Sequence, residues 1–93
     1  MTRGSDWSGR RARRLTALTL AVYGDTCHLC GRPGATTADH LIPRDDGGTH
    51  ALENLRPAHG SCNSARGTMP LAEWFARHPI DRDRLPPSRR WLG

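Results

Sequence analysis

The chain has 93 residues, of which only 35% are hydrophobic, and a mean hydropathy of −0.68. That is one domain's worth of sequence, with too little apolar surface for a large core and no apolar run near the ~18 residues a membrane span requires. The formal net charge is +5, all fourteen basic residues are arginine, and three cysteines cannot make a complete set of disulfides.

A basic domain attracts polyanions, and planar guanidinium forks suit phosphate oxygens. The base composition of the gene explains the absence of lysine equally well, but leaves the basic excess standing. Residues 1–9 read as a flexible basic tail and 81–93 as a Pro/Arg-rich tail holding Pro86-Pro87 and Arg89-Arg90; Trp7 and Trp91 fall in these tails and receive no role. The compact part, within 10–80, is then about 65–70 residues, a size at which a structural metal commonly supplements a thin core. The basic start is not followed by a signal core or cleavage site, so the expected location is cytoplasmic.

In chain order, residues 10–23 predict a helix. Leu15, Leu18 and Val22 form its apolar stripe, with Ser8 to cap the start and Gly24 the end. Arg10, Arg11, Arg13 and Arg14 crowd its first turns, where the helix dipole disfavours positive charge. That local penalty points to phosphate contacts, against the plainer reading of a solvated basic face. Residues 25–34 are turn-rich, and 36–42 form a β-prone run closed by Pro43. Residues 44–50, with Gly47-Gly48, are a loop. Residues 52–56 make a second short element, a helical turn or a strand, ended by Pro57. Residues 59–66 suit a short helix capped by Gly67. Pro70 can open a last helix whose stripe is Leu71, Trp74 and Phe75, running to Pro79. His78 helps end it, and Trp74 with Phe75 reads as core rather than as a base-stacking platform.

Two pairs of metal-ligand residues stand out: Cys27 with Cys30, and His59 with Cys62. Each pair is separated by two residues, so a tight turn presents both side chains to one point, and twenty-eight residues between the pairs suffice for a returning hairpin. The expectation is a closed, structural Cys3His zinc site. A redox pair or unligated buried cysteines are the alternatives, and the first lacks the βαβ context it needs. His28, between the ligands, is expected to point away.

The enclosed hairpin places a carboxylate beside an imidazole, Asp39-His40. Neighbours on a strand face opposite ways, so these two meet at one phosphate only where the strand ends or twists. Taken singly, Asp39 reads as a turn carboxylate, His40 as a surface histidine, Asn54 as a cap and Asn63 as a helix-surface amide. Together with Cys27-His28-Leu29-Cys30, Ala38-Asp39-His40-Leu41-Ile42-Pro43, Gly47-Gly48, Glu53-Asn54-Leu55 and the run from His59 to Gly67, they resemble the HNH nuclease family over Cys27 to Gly67. That family has the ββα-metal fold.

The resemblance implies a small α+β fold: a zinc-stapled ββα-metal core with an N-terminal basic helix and a C-terminal helix. It implies a DNA endonuclease leaving a 5′-phosphate and a 3′-hydroxyl. His40 would be the general base, Asp39 and Asn63 the ligands of a catalytic Mg²⁺ or Mn²⁺, and Asn54 the residue that orders the loop and so orients the base. No small-molecule cofactor is implied. His59 stands where the family more usually has cysteine, and Asn63 where it more usually has histidine. An amide oxygen in that place shifts the preference toward Mg²⁺ or Mn²⁺. Arg44, Arg56 and Arg66 flank the site; Arg66 is the expected phosphate clamp, and Arg44, Arg10, Arg11, Arg13 and Arg14 further DNA contacts. His50 reads as a solvated loop histidine. A stand-alone domain of this size also resembles bacteriophage HNH proteins that work with a large terminase subunit. A non-catalytic zinc-stabilised DNA-binding module, or a regulatory subunit with a vestigial site, would need the zinc pairs and the arginines but not Asp39, His40 and Asn63 together.

Overall fold

A computed structural model describes residues 9–80; residues 1–8, with Ser8 and Trp7, and residues 81–93, with Trp91, lie outside that range. Helix α1 spans Gly9–Tyr23, strand β1 Thr37–His40, strand β2 Leu55–Ala58, helix α2 Gly60–Arg66 and helix α3 Leu71–Arg77. Two single 3-10 turns, Arg44–Asp46 and Leu52–Asn54, shape the connection between the strands. The strands pair antiparallel with Thr37 opposite Ala58 and His40 opposite Leu55. The result is a small α+β fold: a two-stranded ribbon with α1 and α2 packed against it, and α3 packed through Trp74 beside the Cys27–Cys30 turn.

Two alternatives left open for residues 52–56 both occur, a 3-10 turn running directly into a strand. The strand does not stop at Pro57. In a two-stranded sheet every strand is an edge, so a residue without an N–H is tolerated. The Pro57 carbonyl instead accepts the backbone N–H of His28 at 2.9 Å, which ties the Cys27–Cys30 turn to β2.

Helix α1 forms over nearly the expected range, and Gly24, at φ 85°, closes it with its N–H on the Leu20 carbonyl. Its buried face is not the expected stripe. Leu18 and Val22 are 45% and 52% exposed, while Thr19 is fully buried and Leu20 packs against the core. A buried hydroxyl needs a partner. Thr19 supplies its own by donating to the Leu15 carbonyl at 2.7 Å, so the helix can turn its threonine face to the sheet.

The main core lies around the first ligand pair: Cys27, Leu29, Ala35, Ala58 and Trp74, with Met69, Leu71 and Phe75 partly buried against it. Trp74 is core, as its spacing predicts, and its indole N–H donates to the Leu29 carbonyl at 2.9 Å. Helix α3 ends as expected with His78, whose ring stacks on Trp74 at 3.9 Å and whose Nδ1 lies 3.1 Å from the Trp74 carbonyl. Pro70 sits just before the first helical residue rather than at it.

Candidate active site and metal centre

The turn at Cys27 is held by its own backbone: the Cys27 N–H donates to the Arg32 carbonyl and the Gly31 N–H to the Cys27 carbonyl, both at 2.8 Å. Helix α2 starts opposite it with His59 as N-cap. Cys27, Cys30, His59 and Cys62 thereby converge, with one ligand atom from each lying within 4.8 Å of all the others.

The donor chemistry fits zinc. His59 Nδ1 lies 3.3 Å from Cys30 Sγ and 3.8 Å from Cys62 Sγ, while its Nε2 donates to the Pro33 carbonyl at 2.9 Å. That outer bond fixes the tautomer with the lone pair on Nδ1, facing the sulfurs. The His59 backbone N–H donates to Cys27 Sγ at 3.3 Å, a bond that favours thiolate. Burial, followed by the neighbouring Cys27 and Cys30, pushes the Cys62 thiol up to about 12. Burial acts in the same sense on Cys30, but the backbone of Arg32 and the surrounding Cys27, His59 and Cys62 bring that thiol below its usual value. Packed sulfurs that resist ionising together are what a central cation relieves. Zinc would be held by all four residues and would supply structural cross-linking.

A second constellation lies on the other side of α2. Successive helical residues point about 100° apart, so Cys62 reaches the zinc cluster while Asn63 reaches β1. Asn63 Nδ2 donates to the Ala38 carbonyl at 3.3 Å. Strand β1 ends at His40, and both Asp39 and His40 line one open cleft of about 330 Å³ with Asn63, Pro43, Arg44, Asp45, Gly67 and Thr68. The strand end thus does bring the carboxylate and the imidazole to one place. A larger groove of about 600 Å³ runs over the closed zinc cluster between Leu29, Trp74 and Ile80 and lacks such a set of groups.

Asp39 is only 3% exposed, and its Oδ2 accepts two bonds: from Arg66 Nη1 at 2.8 Å and from His28 Nε2 at 2.7 Å. Arg66 itself is 2% exposed. Its remaining donors go to the His40 and Leu41 carbonyls and, through Nε at 2.7 Å, to the Met69 carbonyl. This corrects the expected phosphate clamp: the guanidinium is turned inward and welds the end of β1 to the end of α2. His28 points away from the zinc ligands as expected, but it is not idle: its ring reaches Asp39. Neither was visible from spacing, because both contacts join segments that are distant in the chain.

Asn54 is buried, and its amide is fully used. Oδ1 accepts the Ile42 N–H at 3.0 Å, while Nδ2 donates to the Ile42 and Thr49 carbonyls at 3.1 and 2.9 Å. The loop after His40 is thus pinned to the 3-10 turn that leads into β2. Its return is so tight that a Cβ on Gly48 would lie 1.6 Å from the Ile42 oxygen. The loop carries His50 back to His40, with Nδ1 of the one 3.0 Å from Nε2 of the other. His50 is therefore a partner of the candidate base, not a solvated bystander. Burial, with help from His50, pushes the His40 imidazole down to about 4, so it is neutral at pH 7.

Of the other arginines, Arg44 stands at the lip of the cleft and Arg10, Arg11, Arg13 and Arg14 lie along the first turns of α1, with Arg13 and Arg14 exposed. Arg56 lies away from them, its guanidinium 4.2 Å over the Tyr23 ring.

Residues 27–68 match the family model described as HNH endonuclease. This segment is similar to HNH domains. The match covers both halves of the zinc cluster and every residue of the cleft, so the ββα-metal frame and the Cys3His group belong to one unit. No curated protein and no solved structure matches the chain. Among the described residues, within the HNH segment and outside it, no helix is long and apolar enough to cross a membrane.

Proposed function

We propose that the protein is a metal-dependent endonuclease that hydrolyses DNA phosphodiester bonds at the cleft formed by Asp39, His40 and Asn63. The observation that carries this reading is their convergence on one open-sided cleft inside the HNH segment, while the zinc ligands form a closed cluster elsewhere.

His40 takes the proton of the attacking water. His40 Nε2 lies 3.0 Å from Nδ1 of His50, and the ring is neutral at pH 7, the form in which an imidazole can accept a proton. Asn54 keeps the loop, and so His50, in register. Asp39 offers Oδ1 and Asn63 its amide oxygen as ligands for Mg²⁺ or Mn²⁺. Such an ion, when bound, polarises the scissile phosphate and stabilises the leaving oxygen. Arg44 and the α1 arginines hold the DNA backbone.

The decisive experiment is cleavage of supercoiled plasmid with Mg²⁺ or Mn²⁺. His40→Ala should lose about 10²- to 10⁴-fold in rate with the zinc content unchanged. Equal activity in His40→Ala would remove His40 from the mechanism. A wild-type chain that retards duplex DNA but never cuts it would instead favour the non-catalytic binding module. The resemblance to bacteriophage domains further proposes a large terminase subunit as partner, which co-purification from co-expressed proteins tests.

A further inference from the structure

Asp39 is held from two directions, and one of the two holders sits on the zinc turn. His28 lies between the ligands Cys27 and Cys30. Its backbone N–H is bonded to the Pro57 carbonyl at 2.9 Å, and its ring meets Phe75 of α3 edge-on, with centroids 6.5 Å apart. The imidazole is thereby fixed by the turn, by β2 and by α3 before it reaches Asp39. Its Nε2 and the Arg66 Nη1 both fall on Oδ2 of Asp39. No bond among the described residues falls on Oδ1, and Asp39 lines the cleft.

We propose that His28 is a positioning residue: carried on the zinc turn, it donates to one oxygen of Asp39 so that the other oxygen is presented to the cleft as a single metal ligand. The physical reason is rotational. A carboxylate bonded at one oxygen by a single arginine can still turn about its terminal torsion, which is broad and nearly two-fold. A second donor from a different direction stops that turn. Partners of this kind behind a ligating group typically change metal affinity by about 10- to 100-fold. The zinc cluster then does more than staple the chain, because the backbone it fixes carries the donor that orients the carboxylate.

This inference rests on the proposed metal-binding role of Asp39. The test compares His28→Gln, which can place an amide N–H near the position of Nε2, with His28→Met, which is of similar size and has no donor. Mn²⁺ is titrated into zinc-loaded protein and followed by the EPR signal of the free ion, with Asp39→Asn as the control for the cleft. His28→Met should need about 10- to 100-fold more Mn²⁺ for half-saturation, and His28→Gln should stay within about threefold of wild type. Half-saturating Mn²⁺ for plasmid cleavage should shift in parallel, with zinc stoichiometry unchanged. Equal Mn²⁺ affinity in wild type and both His28 variants overturns the proposal, and so does equal impairment of Gln and Met with zinc still bound. Should the Met variant not fold, ¹⁵N NMR of the wild type decides the same point: His28 must carry its proton on Nε2, and an Nδ1–H tautomer overturns the proposal. Mn²⁺ binding through Asp39 without any DNA cleavage would sink the endonuclease reading and leave the clamp. A wild-type chain that binds no Mn²⁺ overturns both.

Discussion

The zinc cluster and the cleft draw on neighbouring residues, yet they are built on opposite plans. Cys27 and Cys30 serve the first and His28 the second; His59 and Cys62 serve the first and Asn63 the second. The cluster is a set of soft donors whose ligand atoms all lie within 4.8 Å of one another, packed beside Trp74 and Leu29. The cleft is a set of hard oxygen donors and one imidazole, open on one side. A saturated set holds structure, whereas an incomplete one leaves places for substrate. A chain this short separates the two groups of side chains by direction, not by distance. One step along a helix or a turn is enough to send a side chain to the other site.

The largest expected effect breaks the stapled side. Cys27→Ala, or stripping with a chelator, should abolish zinc binding and cooperative unfolding together, since zinc in small domains supplies about 10–16 kcal/mol of apparent folding free energy at neutral pH. Circular dichroism melts with and without the metal check this. A folded zinc-free chain would mean that the apolar core suffices and the contrast between the two sites is false.

Next comes the weld between them. Arg66→Met should destabilise by about 3–5 kcal/mol, because it strips a buried carboxylate and three carbonyls of their donors. Urea denaturation measures it. A loss of DNA affinity with stability unchanged would return Arg66 to the phosphate-contact role that its inward position contradicts. Gly48→Ala should cost about 1–3 kcal/mol, since the new methyl forces the loop off Ile42. Because that loop carries His50 and not a zinc ligand, activity should fall further than zinc affinity. Equal losses in both would show that the two sites are one cooperative unit.

The smallest effect concerns the outer face of α1. Arg13→Ala with Arg14→Ala should leave thermal stability within about 0.5 kcal/mol of the parent, since both residues are exposed. It should lower the slope of log affinity against log salt by about 2 if both arginines contact phosphates. Fluorescence anisotropy at several salt concentrations reads this, and an unchanged slope would assign these residues to a solvated face.

The parts whose meaning is local were legible in the chain. The two ligand pairs are recognisable because a tight turn presents both members of a pair to one point, whereas Asp39, His40, Asn54 and Asn63 stand out only through their joint order and spacing, which resembles the HNH family. The number and order of elements followed from the periodicities of the chain, down to the Gly24 stop of α1. Which long side chain meets which distant partner followed instead from how the elements pack. Arg66 turned inward because a buried carboxylate twenty-seven positions away demanded a cation. His28 and His50 joined the site because a turn and a loop delivered them there. Helix α1 buried Thr19 rather than Leu18 and Val22 because a threonine that satisfies its own hydroxyl fits close against a sheet, and no residue pattern within the helix encodes the shape of the surface it will meet.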